Sequence, residues 1–264
     1  MISLIISFYK RLDFLELIFQ SLDKQSFKDF EVIIAEDNND QQTIEFFTKA
    51  RQNHSYVIRH VSQEDKGFRK NKILNGALKI ASAEKILFLD GDCIPHKNFI
   101  QQYHKNITRG NAYFARRVML GENYSSNLLR REKFRSLKIL RLMFSDSKNI
   151  EEGLYLPWFR NIKKGYRGLL GCNWGINRQD LVEVNGFDED YVHACVGEDN
   201  DIEWRLRLKG VHFNSLKHRA IVYHLYHAEN YNIEASVINN ALFEEKKKRQ
   251  IPTCLNGLIK ISNK

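Results

Sequence analysis

The sequence of 264 residues is poor in cysteine and proline, with four and three respectively, and it has no long hydrophobic run. The cysteines are Cys93, Cys172, Cys195 and Cys254. None forms a Cys-x-x-Cys pair, which argues against a zinc knuckle or redox motif and predicts free thiols in a cytoplasmic protein. No apolar segment approaches the ~20 residues of a membrane span. Lys10 and Arg11 follow the short apolar start, 1–8, which predicts a buried strand rather than a signal peptide.

The charge balance is basic. Lys and Arg number 41 against 32 Asp and Glu, giving a net charge of +9. This excess indicates an anionic partner, such as a nucleotide, a phospholipid surface or a nucleic acid. Hydrophobic residues at 43% and charged residues at 28% are typical of globular proteins and exclude global disorder or a collagen-like repeat.

Short apolar runs alternate with helical patterns over residues 1–95. The runs predict strands at 2–7, 30–35, 56–61 and 86–89, and the patterns between them predict helices at 13–22, 43–52 and 71–80. This repetition predicts an α/β fold with a mainly parallel sheet flanked by helices. The pattern loosens over 96–230, and a polar helix is expected within a C-terminal tail, 231–264.

Polar residues follow three of the predicted strands, at 7–11, 36–40 and 90–92. Ligands of open parallel sheets lie beyond the carboxyl ends of the strands, so these groups are expected to share a site. Asp90 and Asp92 come directly after a buried strand, with Gly91 between them to permit a bend. Converging carboxylates bind hard divalent ions that keep positions open for phosphate oxygens. The alternative is an acidic turn at the end of a strand.

Two further groups of residues, one acidic and one of histidines, are candidates for catalysis and metal binding. The segment 197–201, GEDND, holds three acids at the start of a predicted helix, more than capping needs, and clustered carboxylates suit a general base. His218, His224 and His227 follow late in the chain, and one of them is expected to ligate the same cation.

Taken in order, five segments resemble the family-2 inverting glycosyltransferases with the GT-A fold. The C-terminal half is similar to the β-1,4-galactosyltransferases and the bacterial chondroitin-polymerase type. The segments are 5–11 (IISFYKR), 33–38 (IIAEDN), 65–76 (DKGFRKNKILNG), 88–95 (FLDGDCIP), and 185–189 (NGFDE) with 197–201 (GEDND). The resemblance covers residues 1–230 as one GT-A domain, with a nucleotide-binding half, 1–95, and an acceptor-binding half, 96–230.

The resemblance implies roles for individual residues. The donor nucleotide sugar is expected to contact Ser7, Tyr9, Arg11, Asp37, Arg69, Lys72, Asn75 and Asp90. Asp90, Asp92 and His224 are the expected metal ligands, and His224 is preferred to His227 because it directly follows a predicted strand, 220–223. Asp199 is the expected catalytic base, Glu198 holds the acceptor, and Trp174 and Asp201 line the acceptor site.

These roles describe a metal-dependent inverting transfer of a hexose or N-acetylhexosamine from a UDP-sugar. A cation, Mn²⁺ or Mg²⁺, neutralises the diphosphate leaving group while one base activates the acceptor hydroxyl. No motif identifies the nucleophile that covalent retaining catalysis needs. The expected acceptor is a glycan or lipid-linked glycan of surface polysaccharide or lipopolysaccharide biosynthesis.

The basic segment 128–144 alternates cations with apolar residues, and it is either a peripheral membrane contact at the inner membrane face or the solvated face of a helix. Two other functions compete with the transferase. A metal-dependent phosphohydrolase or nuclease also uses acids and histidines, although two-metal sites require more of them. A non-catalytic anion-binding protein would use the net charge, but no nucleic-acid-binding motif is present and no nucleic-acid partner is expected.

Overall fold

The computed structural model describes residues 1–131, 137–158, 168–194, 198–228 and 232–262, with Glu198 described by its backbone alone. The strands are β1 (Ile2–Phe8), β2 (Phe30–Glu36), β3 (Val57–Ser62), β4 (Lys85–Asp90), β5 (Cys93–Pro95), β6 (Asn111–Phe114), β7 (Arg117–Met119), β8 (Asn173–Asn177), β9 (His212–Ser215) and β10 (Val222–His224). The α-helices are α1 (Leu12–Leu22), α2 (Gln41–Asn53), α3 (Lys70–Ile80), α4 (Phe99–Asn106), α5 (Glu122–Leu129), α6 (Ile139–Met143), α7 (Arg178–Glu183), α8 (Glu198–Leu208) and α9 (Ile233–Arg249), and a 3₁₀ turn covers Ile150–Gly153.

Seven strands form the main sheet in the order β3-β2-β1-β4-β8-β6-β9. The first four strands of that order are parallel, β8 runs antiparallel to both of its neighbours, and β6 and β9 are parallel. A second sheet has the order β5-β10-β7. The mainly parallel sheet predicted from the first ninety residues is therefore present, and the second sheet stands beyond the end of β4.

Burial on both faces explains the nearly continuous apolar strands. Leu4 and Ile6 of β1 belong to the core on the α1 side of the sheet, while Ile5 belongs to the core on the opposite side, under α3. Helix α1 presents Phe14 and Ile18 at helical spacing to the first of these faces. A parallel sheet covered on both sides in this way places its polar groups at the strand ends.

The segment predicted as a C-terminal tail packs against the second half of the chain. Helix α9 matches the predicted polar helix, and the chain after it contacts the loop at Asn185. The Asn185 amide donates to the carbonyls of Cys254 and Ile259, each at 2.8 Å. A Cβ on Gly257 would overlap the Asn185 carbonyl oxygen, so this contact requires glycine.

The basic segment 128–144 does not form one continuous helix. Helix α5 ends at Leu129 and α6 begins at Ile139, while Glu132, Lys133, Phe134, Arg135 and Ser136 lie outside the described residues. Over the part of the chain that the structure describes, none of the helices combines the length and apolarity that crossing a bilayer requires.

Candidate active site

A cavity of about 640 Å³ opens at the carboxyl ends of β1, β2 and β4. Its wall includes Ser7 and Tyr9 from the end of β1, Asp37 from the end of β2, and Asp90 and Asp92 from the end of β4. The structure therefore brings together the polar groups that follow separate strands. This is the edge of an open α/β sheet at which ligands bind.

Gly91 allows the turn after β4 to approach β1. Its N–H donates to the Ser7 carbonyl at 2.8 Å, and a Cβ at Gly91 would lie 2.8 Å from the same oxygen. The backbone of Gly91 is not among the left-handed conformations of the described residues. We expected glycine here for the bend, but the structure requires it because a side chain would strike the neighbouring strand.

Asp90 is oriented by two neighbours on the cavity wall. The Ser7 hydroxyl donates to Oδ1 of Asp90 at 2.6 Å, and the Lys70 ammonium lies 3.0 Å from that oxygen. Lys70 is the first residue of α3 and is partly buried, with 19% of its side chain exposed. A cation held at this position is available to a phosphate group as well as to Asp90.

Asp92 lies between two imidazole rings. Its Oδ2 atom is 3.2 Å from Nε2 of His224 and 3.2 Å from Nε2 of His227. One ligand atom from each of the three side chains lies within 4.8 Å of the others. The small sheet creates this cluster because β10 pairs with β5 and aligns His224 opposite Cys93, next to Asp92.

The cluster has the donor set of a divalent metal site. Two imidazole nitrogens with one carboxylate suit first-row ions such as Mn²⁺ better than Mg²⁺, which prefers oxygen ligands. The Ala228 carbonyl lies 3.1 Å from Nδ1 of His227 and accepts only from an N–H, so a cation would displace the proton on Nε2 and bind His227 through that nitrogen. The residues present therefore fit a divalent cation, with both histidines as ligands.

The hydrogen bonds between the histidines and Asp92 favour the charged form of both partners. Burial alone would raise the pKa of Asp92, but hydrogen bonds from His224 and His227 outweigh it and hold that pKa far below its usual range. The bond to Asp92 in turn raises the pKa of His227. An ionised Asp92 is the form that coordinates a metal.

Asp199 lies near Lys70 and Asp90, on the first turn of α8. It is partly buried, and the backbone N–H of Gly171 donates to its Oδ2 at 2.7 Å. Burial raises the pKa of Asp199, and the positive charge of Lys70 is the largest opposing influence. Ser7, Lys70, Asp90 and Asp199 line one small void beside the cavity. A carboxylate with raised proton affinity in this position suits a general base.

The far side of the cavity is ordered by hydrogen bonds among polar side chains and backbone. Asp37 accepts from the Gln63 amide at 2.6 Å and from the backbone N–H of Arg69 at 2.7 Å. The Tyr9 hydroxyl donates to Asp65 at 3.1 Å, which joins the loops after β1 and β3. Asp37 thus fixes the start of α3, while Tyr9 and Asp65 border the mouth of the cavity.

The residues predicted for the acceptor site do not reach the cavity wall. Trp174 is 1% exposed and stacks on Phe88 with ring centroids 4.6 Å apart. Asp201 is buried and lies 2.7 Å from the Arg205 guanidinium. Trp174 lines the same small void as Asp199, and Asp201 forms a buried ion pair, so the acceptor contacts of these two side chains stay predictions. The side chain of Glu198 lies outside the described residues.

Three predicted donor contacts also have other positions or partners. Asn75 is buried, and its amide group donates to and accepts from the backbone of Phe187 at 2.8 and 2.9 Å. Lys72 is exposed on the outer side of α3. Arg11 does line the cavity, but its guanidinium makes two hydrogen bonds to Asp13. Asn75 therefore joins α3 to the loop after α7 and is not among the residues that line the cavity.

Lys70 and His227 are only alternatives in the sequence predictions, within a basic group at 69–72 and beside His224, and Gly171 has no predicted contact. Helix phase could have indicated Lys70, because it lies three residues before the buried Ile73, whereas Lys72 falls on the outer face. His227 was weighed against His224, and the structure brings both to Asp92. No sequence signal marks Gly171, because its role depends on a contact between distant segments.

Two family models match the chain. The model described as glycosyl transferase family 2 matches residues 3–181. The model described as N-terminal domain of galactosyltransferase matches residues 159–228. Together they cover the sheet, the cavity and the histidine cluster.

Comparison with known sequences and with solved structures also finds glycosyltransferases that resemble this chain. Chondroitin synthase of Escherichia coli is 24% identical over an alignment of 240 residues, and the match covers 84% of this chain but only 34% of that protein. A mannosyltransferase from Pyrobaculum calidifontis, solved with GDP-Man and Mn²⁺, superimposes with a TM-score of 0.62 at 16% identity, covering 94% of this chain and 64% of that one. S. aureus TarS 1–349, solved with UDP-GlcNAc, gives 0.53 at 17% identity, covering 89% of this chain and 60% of that one.

Proposed function

The chain belongs to glycosyl transferase family 2, and from that membership we propose that it is a metal-dependent inverting glycosyltransferase. It moves a hexose or N-acetylhexosamine from a nucleotide sugar to a glycan or lipid-linked acceptor. The observation that carries the proposal is the placement of Asp92, His224 and His227 beside a cavity whose adjoining wall holds Lys70 and Asp199.

Family membership confirms the predictions of the enzyme class and of the GT-A fold, a mixed α/β fold with a mainly parallel sheet flanked by helices. It does not support the two competing functions, a phosphohydrolase or nuclease and a non-catalytic anion-binding protein. The chain spans 34% of the chondroitin synthase that it matches, so the activity of that whole protein is not carried over.

Different residues at the cavity have different roles in the proposed reaction. Asp92, His224 and His227 would hold a divalent cation, which when bound would supply Lewis-acid stabilisation of the diphosphate leaving group. Lys70 adds a second positive charge on the same wall. Asp199 takes the proton from an acceptor hydroxyl as the hydroxyl attacks the anomeric carbon opposite the leaving group. One displacement with one base inverts the configuration.

The donor is proposed to be a UDP-sugar. TarS binds UDP-GlcNAc and the archaeal mannosyltransferase binds GDP-Man, so the fold accepts both nucleotide types. Tyr9 and Asp37 line the cavity and are proposed to contact the base, while Asp90, two residues before Asp92, is proposed to contact the ribose or phosphates. The likeness to chondroitin synthase supports a glycan acceptor, in surface polysaccharide or lipopolysaccharide biosynthesis.

The test begins with nucleotide sugars screened by thermal shift in the presence and absence of Mn²⁺. A UDP-sugar should raise the melting temperature more with Mn²⁺ than without it, and Asp92→Ala should remove that difference. Asp199→Asn should abolish transfer while leaving donor binding intact, and Asp29→Asn, at the opposite end of β2, is the matched control. NMR of the product reports whether the anomeric configuration inverts. Transfer at the normal rate by Asp199→Asn would overturn the assignment of the base.

A further inference from the structure

An apolar patch stands out on α6. Leu140, Met143 and Phe144 are 68%, 60% and 89% exposed, within five consecutive residues. Leu142 between them is fully buried and anchors the short helix to the core. Single exposed apolar residues are ordinary, but three large ones together on a firmly held turn indicate a contact surface.

Positive charge surrounds the apolar patch. Arg130 and Arg131 follow α5, Lys138 immediately precedes α6 and Arg141 lies within it, all with exposed side chains. Across the described ranges, no carboxylate forms an ion pair with any of these four cations. Exposed cations without acidic partners keep their full field for an external anion.

Asp146, which follows α6, forms no ion pair with these four cations among the described residues. Asp146 accepts hydrogen bonds from the backbone N–H groups of Asn123 and Tyr124, at 2.8 and 3.3 Å. The positive charges of Arg131 and Arg141 both act on the hydroxyl of Tyr124, so the two guanidinium groups share one surface region. The cationic residues and the apolar patch therefore form one continuous feature of α5 and α6.

This surface is joined to the active site through short contacts. Ser125 of α5 accepts from the backbone N–H of Tyr226 at 2.9 Å, one residue before His227. On the other side, Ile139 of α6 and Tyr223 of β10 both lie against Gly153. A binding partner at the apolar patch would thus lie near the proposed metal ligands.

We propose that the apolar patch and the cations around it dock onto an anionic lipid bilayer. Apolar side chains that enter the headgroup region beside Lys and Arg residues are the chemistry by which proteins bind such a surface without spanning it. The lipid binding stands on its own, whereas its purpose, to bring the cavity to a lipid-linked acceptor, rests on the proposed function.

The test measures co-sedimentation of the full chain with phosphatidylcholine vesicles that contain or lack phosphatidylglycerol. Binding should require phosphatidylglycerol and should weaken as salt is added. Phe144→Ser should weaken vesicle partitioning by roughly tenfold, given the area of the ring. Each charge removed, as in Arg141→Gln, should weaken it by about fivefold. Val57→Ser and Lys49→Gln, exposed on β3 and α2, are the matched controls and should change nothing.

The outcomes separate the docking surface from the transferase proposal. Hydrolysis of a nucleotide sugar in vesicle-free solution should be the same in Phe144→Ser and the parent, because the patch lies outside the cavity. Loss of vesicle binding with unchanged hydrolysis supports the proposal. Equal binding to neutral vesicles, equal binding by Phe144→Ser, or no binding at all overturns it. So would Phe144-dependent dimerisation without lipid binding, because the occupant would then be a second copy of the chain.

Discussion

Replacing Gly171 with alanine should damage catalysis without unfolding the protein. A Cβ at this position would lie 2.6 Å from Oδ1 of Asp199, and ordinary van der Waals contact begins at about 3.4 Å. The Asp199 carboxylate must therefore move by roughly 0.8 Å or rotate, and it then loses alignment with the Gly171 N–H. A displacement of about 1 Å at a catalytic group costs on the order of a hundredfold in rate. We expect kcat to fall by one to two orders of magnitude, with the KM of the donor nearly unchanged.

The pH profile gives a second measurement on the same variant. Burial raises the pKa of Asp199, and the Gly171 N–H partly opposes it by stabilising the charged form. The base acts when deprotonated, so kcat should rise with pH through this pKa. Losing the hydrogen bond raises the pKa further, which should move the acidic limb of the profile of Gly171→Ala to higher pH.

Gly76→Ala is the matched control, because its Cβ would meet only the Cδ1 atom of Ile73, at 3.9 Å. Alanine in the interior of α3 should leave kcat unchanged and stabilise the helix slightly, by up to about 1 kcal/mol. The reasoning is refuted if Gly171→Ala keeps the parent kcat and pH profile while Asp199→Asn is inactive. The base would then act from a position that Gly171 does not fix.

Three further substitutions, two of them with a matched control, test a buried ion pair and the site. Arg205→Met should reduce the free energy of unfolding by about 3–5 kcal/mol because it leaves the buried carboxylate of Asp201 without its ion-pair partner. Arg207→Met is the control, because it removes a partly exposed pair with Glu203 on the same helix and should cost less than about 1 kcal/mol. Urea unfolding measures both changes. His227→Ala should weaken Mn²⁺ binding by at least about tenfold in calorimetric titration, and unchanged affinity would remove this ligand from the cluster. Lys70→Met should shift the acidic limb of kcat to higher pH, because the proposed base loses its nearest stabilising cation, while Lys72→Met should leave the pH profile unaltered.

Much of the fold could be predicted from local sequence pattern. Short, mainly apolar runs predicted β1, β2 and β4 because strands buried on both faces carry few polar side chains. The convergence of Asp37, Asp90 and Asp92 followed from the common direction of those strands. This reasoning needs no distant contact, since parallel strands place their carboxyl ends at one edge of the sheet.

The small sheet could be derived only in part. Its strands β5, β7 and β10 have three residues each, and only β10 was predicted, as 220–223, because so short a strand carries little hydrophobic periodicity. Burial of Trp174 depends on its stacking with Phe88, a residue far away in sequence. An aromatic side chain next to glycines can line a pocket or fill a core, and only the tertiary packing decides between these positions.

The surroundings of two aspartates of this site shift their pKa values in opposite directions. Two imidazole groups lower the pKa of Asp92, so it remains charged and suited to a metal. Asp199 receives one backbone N–H bond and shares the charge of Lys70, and burial dominates and raises its pKa. Carboxyl groups whose environments separate their proton affinities take different catalytic roles. The surroundings of each carboxylate therefore support the proposed roles, Asp92 as metal ligand and Asp199 as base, on grounds separate from the family resemblance.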